Sequence, residues 1–193
     1  MKEAIDVKKE CLTKTKEEWD TIFKEQKDTI NEAIDIYLEL RRLFQNEDSF
    51  LFRWLFMSFY GMGGRLNKEK RERFFSHFKV DNESLLAVRD IVNDINDDKE
   101  SSAYFSFVTK MLNMKDEALY PIYDSRIAIK AFGCDSKTEM DLNGKEECYK
   151  RIKKLYDSVE NSDPALVLFK YYFPRADGLG KMRILDFILY NTL

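Results

Sequence analysis

At 193 residues and 23.0 kDa, with 44% hydrophobic and 35% charged residues, the chain has the composition of a folded helical protein and not of a disordered one. Seven Gly and three Pro are too few for the many turns of a sheet-rich fold, so long helices joined by short loops are expected. A net charge of -3 and a sequence pI near 5.4 give no global attraction to a polyanion, and contact with nucleic acid requires a local basic patch.

Cys11, Cys134 and Cys148 are odd in number and lie in no metal-like spacing, and His77 is the single histidine. An ordinary Cys/His zinc site is therefore excluded, and neither a metal nor another cofactor is implied. The expectation is reduced thiols in a cytoplasmic protein. The first ten residues, MKEAIDVKKE, have no apolar signal core, and no apolar run approaches the ~20 residues needed to span a bilayer. No membrane partner is expected.

Residues 1–46 read as a charged helical arm packed on a core domain of residues 47–193. Thr15-Lys16-Glu17-Glu18 has the form of a capping box. Beyond it Trp19, Ile22, Phe23, Ile30, Ile34, Tyr37, Leu40 and Phe44 recur at three- and four-residue steps, one apolar stripe on a long helix of nearly eight turns. Its polar face mixes acids and bases, which disfavours a membrane surface and leaves packing in cis, or docking to a protein partner or a second copy.

From Asp48 the run SFLFRWLFMSFYGMGG predicts a helix buried on most sides that ends at the glycines 61, 63 and 64. Asn67 caps a helix through KEKRERFFSHF, whose Lys68, Lys70, Arg71 and Arg73 join Arg65 in the most basic local stretch. Asp81 or Asn82 caps the next helix, with Leu85, Leu86, Val88, Ile91, Val92 and Ile95 inward. Ser101 opens another, carrying Tyr104, Phe105, Phe107, Val108, Met111 and Leu112. Asp124 at an N-cap and Gly133 at the stop bound a further helix; others follow over about 145–159, from Pro164 to Pro174, and over about 179–191. The fold class is all-α, an irregular orthogonal array of about nine helices with a long N-terminal helix.

The segment SFVTKMLNMKDEALYPIYDSRIAIKAFG, residues 106–133, places an acid at a helix start just after a loop. Asp124 there is either a helix cap or a carboxylate fixed at a cleft. Ile122-Tyr123-Asp124-Ser125-Arg126-Ile127, the closing Phe132-Gly133 and the upstream Leu112-Asn113 resemble the helix-hairpin-helix DNA glycosylase superfamily (the HhH-GPD fold). Ser106-Phe107-Val108-Thr109-Lys110 and Tyr120-Pro121-Ile122-Tyr123-Asp124-Ser125 are also similar to SFASK and FPIYDS stretches of a divergent bacterial branch. The resemblance covers about residues 49–133. It implies a glycosylase-like helical fold that binds DNA with a damaged or flipped base, Asp124 matching the catalytic aspartate.

The hairpin glycines are absent from residues 100–105, and the lysine position of the bifunctional enzymes falls on Ser106, with Lys110 one turn further on. The reaction this leaves is monofunctional hydrolysis, with Asp124 activating water. Substrate or DNA contacts are expected from Arg126, Tyr123, Tyr104, Lys110 and Arg65, with Trp54 a further pocket candidate: aromatics stack a base and arginine holds a phosphate. The alternative is a non-catalytic protein–protein interaction module that retains the fold without the chemistry.

Overall fold

The computed structural model describes residues 12–46, 49–77, 88–96, 101–134 and 141–193. At Thr15 the capping box is closed: the hydroxyl accepts from the Glu18 N–H, and the Glu18 carboxylate accepts from the Thr15 N–H. The helix it starts, α1 (Lys16–Glu25), is followed across Gln26 by α2 (Lys27–Gln45). The stripe is thus carried by two helices where one was expected. Each half turns to a different neighbour: Phe23 sits among Phe169, Tyr172 and Phe173, while the Tyr37 hydroxyl reaches Asn113. Trp19, Phe23, Ile30, Ile34, Tyr37 and Leu40 are buried in the common core, so the stripe is not free for a partner.

Helix α3 (Ser49–Phe59) departs from expectation. Phe52 and Phe56, four apart, face the core, but Phe50, Leu51 and Trp54 point to solvent, Trp54 with 61% of its surface exposed. At 100° per residue those three positions fall on the side away from Phe52 and Phe56, so one face is buried instead of most. Gly61 and Gly64 take the left-handed conformation that turns the chain into α4 (Lys68–Ser76), and the Asn67 carboxamide oxygen accepts from the Lys70 N–H as its cap. Phe74 and Phe75 are buried there, while Phe78, the caps at Asp81 or Asn82, and Leu85 and Leu86 lie outside the described residues.

After α5 (Val88–Ile95) the Asn96 carboxamide donates to the carbonyls of Val92, Ser101 and Ala103. Those bonds hold the chain back from a helix at Ser101. Tyr104 takes a left-handed conformation at φ 69°, and α6 (Phe105–Lys115) starts only then. Asp124 caps α7 (Ser125–Phe132) and Gly133 ends it at φ 58°. Helices α8 (Leu142–Ser158) and α9 (Pro164–Tyr172, capped by Asp163) follow, then a 3-10 turn (Pro174–Gly178) and α10 (Lys181–Thr192).

Cys134 and Cys148 form a disulfide, Cα to Cα 6.6 Å, which corrects the expectation of reduced thiols for these two. Cys134, next to the left-handed Gly133, meets Cys148 on α8, and that tertiary approach has no trace in the spacing of the cysteines. Cys11 lies outside the described residues. The fold is all-α: ten α-helices, no strand, and no helix long and apolar enough to cross a membrane among the described residues. Helix α10 is buried from Met182 to Leu189, so the other helices pack around it.

Candidate functional site

One face of α6 builds the site. Ser106, Thr109 and Asn113 recur at steps of three and four, so their side chains line up along the helix. The Ser106 hydroxyl donates to the Tyr123 carbonyl (2.9 Å), and the Thr109 hydroxyl accepts from the Tyr123 N–H (3.0 Å). The Asn113 carboxamide donates to the Tyr120 carbonyl (2.7 Å) while accepting from the Tyr37 hydroxyl (2.7 Å). Three short polar side chains thus pin the loop 120–124 between α6 and α7 by its backbone. From the other side, the Ile122 N–H is hydrogen-bonded to the Asp186 carboxylate on α10.

The pinned loop presents Asp124 beside Lys110. One Asp124 oxygen accepts from the Arg126 N–H (2.9 Å), the helix cap, and the other lies 3.8 Å from the Lys110 ammonium. The cap and the cleft readings of Asp124 therefore hold together. Lys110 is enclosed, with 13% of its side chain exposed, and its ammonium lies 5.2 Å from the Tyr60 ring and 5.7 Å from the Phe107 ring. Burial pulls the Lys110 pKa below the usual lysine range, with the Asp124 charge opposing that shift.

Both side chains line a cavity of about 350 Å³, at the small end of the roughly 300–1,000 Å³ range of ligand pockets. Ile30 and Ala33 of α2, Phe59 and Tyr60 at the end of α3, and Ile122 and Ile127 around Asp124 supply much of its wall. Helix α10 completes it with Arg183, Asp186, Phe187 and Tyr190.

The deepest charges belong to α10. The Arg183 guanidinium is clamped between the rings of Tyr37 (4.3 Å) and Phe187 (4.1 Å) and stands 3.8 Å from Asp186. Asp186 is 3% exposed and one oxygen accepts from the Tyr156 hydroxyl (2.8 Å). Burial pushes its carboxyl up to about 7, against the attraction of Arg183 and the bonds from Tyr156 and Ile122. The Tyr60 phenol is pushed up to about 12, again by burial.

Of the residues expected at a site, Asp124 and Lys110 meet in the cavity. Arg126 is exposed, its guanidinium 5.2 Å from the Tyr190 ring at the cavity wall. Arg65 is exposed in the glycine loop, outside the lining, yet close enough to Lys110 for its charge to depress the ammonium. Tyr104 donates to the Arg65 carbonyl (3.1 Å), tying that loop to the start of α6. Tyr123 is a core residue, packed edge-on against Phe105, and Trp54 borders a separate shallow depression with Met57 and Gly61. Ser106 is spent on the Tyr123 carbonyl.

Sequence reading missed Tyr60, Arg183 and Asp186. The signal for the last two is present: MRILDFILY, residues 182–190, is apolar all round except for these two charges, and a charge inside such a helix is buried. Among the described residues, no cluster of His, Cys, Asp and Glu is placed to hold a metal. No protein-family model matches the chain, and no curated protein and no solved structure matches it either.

Proposed function

We propose that the chain is a glycosylase-like hydrolase that binds DNA and takes a flipped base into the cavity, with Asp124 as its catalytic residue. The observation that carries this reading is the Lys110–Asp124 pair, 3.8 Å apart on the wall of a cavity with aromatic sides. Such a pair is dehydrated at a cost, and a cleft that concentrates perturbed charges is where chemistry is sought first.

In the proposed step, water attacks C1′ of the extruded nucleotide while the bond from C1′ to the base nitrogen breaks. The base leaves with the electron pair, Asp124 takes the proton of the attacking water, and that proton passes through solvent to the departing base. The carboxylate also stabilises the cation developing at C1′. Lys110 positions Asp124 and offsets its charge. Phe59 and Tyr190 line the cavity and supply rings against which a base stacks. Arg126 and Arg65, both exposed, are the phosphate contacts of this reading.

The test is fluorescence anisotropy against intact duplex, duplex with an abasic-site analogue, and single strand, at two salt concentrations. The expected result is salt-sensitive binding that prefers the abasic duplex and weakens in Arg126→Ala. Absence of binding to all three at low salt contradicts the DNA reading. It would favour instead a non-catalytic module that docks a protein on the exposed Phe50, Leu51 and Trp54 face of α3.

A further inference from the structure

The end of α3 serves two places. Phe59 and Tyr60 line the cavity of Asp124, whereas Trp54, Met57 and Ser58 border a shallow depression with Gly61 and Gly63. Phe50 and Trp54 are one helical turn apart, which sets their Cβ atoms roughly 5–6 Å from each other on one side of the helix. They are 77% and 61% exposed, so two aromatic side chains stand together in water. Folding gains nothing from rings left outside, and a patch of them marks a surface that something else covers.

The charge beside this patch narrows the choice. From Arg53 to Arg73 the chain has six basic residues and two acids, against a net charge of -3 for the whole. Both acids are engaged within the stretch, Glu72 by Arg53 and Glu69 by Arg73. Arg65 and Lys68 are exposed. That balance fits a polyanion. The depression, about 400 Å³, is concave, and open space lies over Gly61 and Gly63. A hollow beside an exposed indole fits a flat ring better than it fits the plane of a lipid surface.

Contacts lead from here to the cavity. The Arg65 guanidinium lies 5.8 Å from the Phe107 ring, and the Lys110 ammonium lies 5.7 Å from the same ring. Lys110 in turn stands beside Asp124. The bond from Tyr104 to the Arg65 carbonyl holds the glycine loop in place between the two. We infer that the exposed face of α3 and the adjoining Arg65 and Lys68 bind an unpaired stretch of DNA, its bases stacked on Phe50 and Trp54 and its phosphates at the two cations. This extends the reading that the chain binds DNA, and rests on it. Bases inside a duplex stack on one another and are closed to a side chain, so the stretch must be single-stranded.

The two tryptophans make the test direct, since Trp19 is 2% exposed and Trp54 61%. A base stacked on Trp54 quenches its emission and leaves Trp19 as an internal reference. The probes are an oligothymidylate of about twelve nucleotides, a blunt duplex of the same length without altered bases, and vesicles of anionic phospholipid. Each is titrated into the whole chain at two salt concentrations. The single strand is expected to quench Trp54 and to bind about tenfold more tightly than the duplex, with affinity falling as salt rises. Trp54→Ala, a change at the surface, is expected to weaken that binding about tenfold by anisotropy of the labelled strand. Quenching in a chain that releases no base upholds this surface and removes only the hydrolysis. A duplex bound as tightly as the single strand, or a single strand bound equally by Trp54→Ala, overturns the stacking surface and leaves DNA binding standing. Neither nucleic acid bound at low salt overturns the surface and the DNA reading together. Vesicles that shift the Trp54 emission to the blue, while the single strand does nothing, overturn it in favour of a membrane surface.

Discussion

Two groups of cations in this chain live under opposite conditions. The stretch from Arg65 to Arg73 was the conspicuous one in the sequence, and it lies on or near the surface: Arg73 pairs with Glu69 at 2.5 Å, and Glu72 takes Arg53 at 2.9 Å. Lys110, expected from the sequence as a contact residue, and Arg183, not singled out there, each sit within an apolar stretch of their helix, and they are the ones drawn into the interior beside Asp124 and Asp186. Exposed pairs contribute roughly 0–1 kcal/mol, because water and salt screen them. Buried ones must recover several kcal/mol of lost hydration from their partners. The interior group is therefore the one whose removal is felt, and the one whose retention calls for a use.

Substitutions sharpen that contrast. Arg183→Met leaves Asp186 without its counter-ion and is expected to lower stability by about 3–5 kcal/mol in urea unfolding, the range for breaking a buried pair. A loss under about 1 kcal/mol would put Arg183 in the same class as the surface cations. The Asp186 carboxyl, raised from 3.8 to about 7 by burial, makes a related pH prediction. Its folded form holds the proton more tightly than its unfolded form, so this group's contribution is fully present below about pH 4 and is lost as pH rises to about 7. Arg183, Tyr60, Tyr156, Lys110 and Asp124 all face it and are kept unchanged. The melting temperature of Asp186→Asn minus that of the natural chain is expected to rise between pH 4 and 7 and then level. A flat difference would mean that Asp186 is not buried as described.

Smaller effects follow for the loop and the surface. Asn113→Ala removes the bonds to Tyr37 and Tyr120 and is expected to destabilise by about 1–3 kcal/mol, with weaker binding wherever loop 120–124 matters. Arg73→Ala is expected to change stability by less than about 1 kcal/mol. A larger loss there than in Asn113→Ala would break the comparison.

What could be read from the chain in advance was local. The caps at Thr15, Asn67 and Asp124 depend on side chains two or three residues from the groups they serve, and the stop at Gly133 on that residue's own backbone freedom. Distances of that kind are visible in a sequence. The start of α6 was not, because Asn96 takes the carbonyls of Ser101 and Ala103 and forces Tyr104 into a left-handed turn. Nor was the exposed face of α3, since its apolar residues have the same composition inside and out. The Cys134–Cys148 bond and the cavity are tertiary: α2, α3, α6, α7 and α10 all contribute to the latter. Asp124 was legible as a capping acid at a loop. That Lys110 stands beside Asp124 while Ser106 bonds the Tyr123 carbonyl became visible only once α6 had been laid against the loop.

The most direct measurement is base release from end-labelled duplexes that each carry one altered base, read as strand breaks after hot alkali. Uracil opposite guanine is the first substrate and hypoxanthine and an alkylated purine the others. The account predicts alkali-labile product from at least one of these duplexes with the natural chain, and a loss of about a hundredfold in rate in Asp124→Asn with the fold intact. Product from no duplex, or equal product from Asp124→Asn, would contradict it and leave Asp124 as a helix cap.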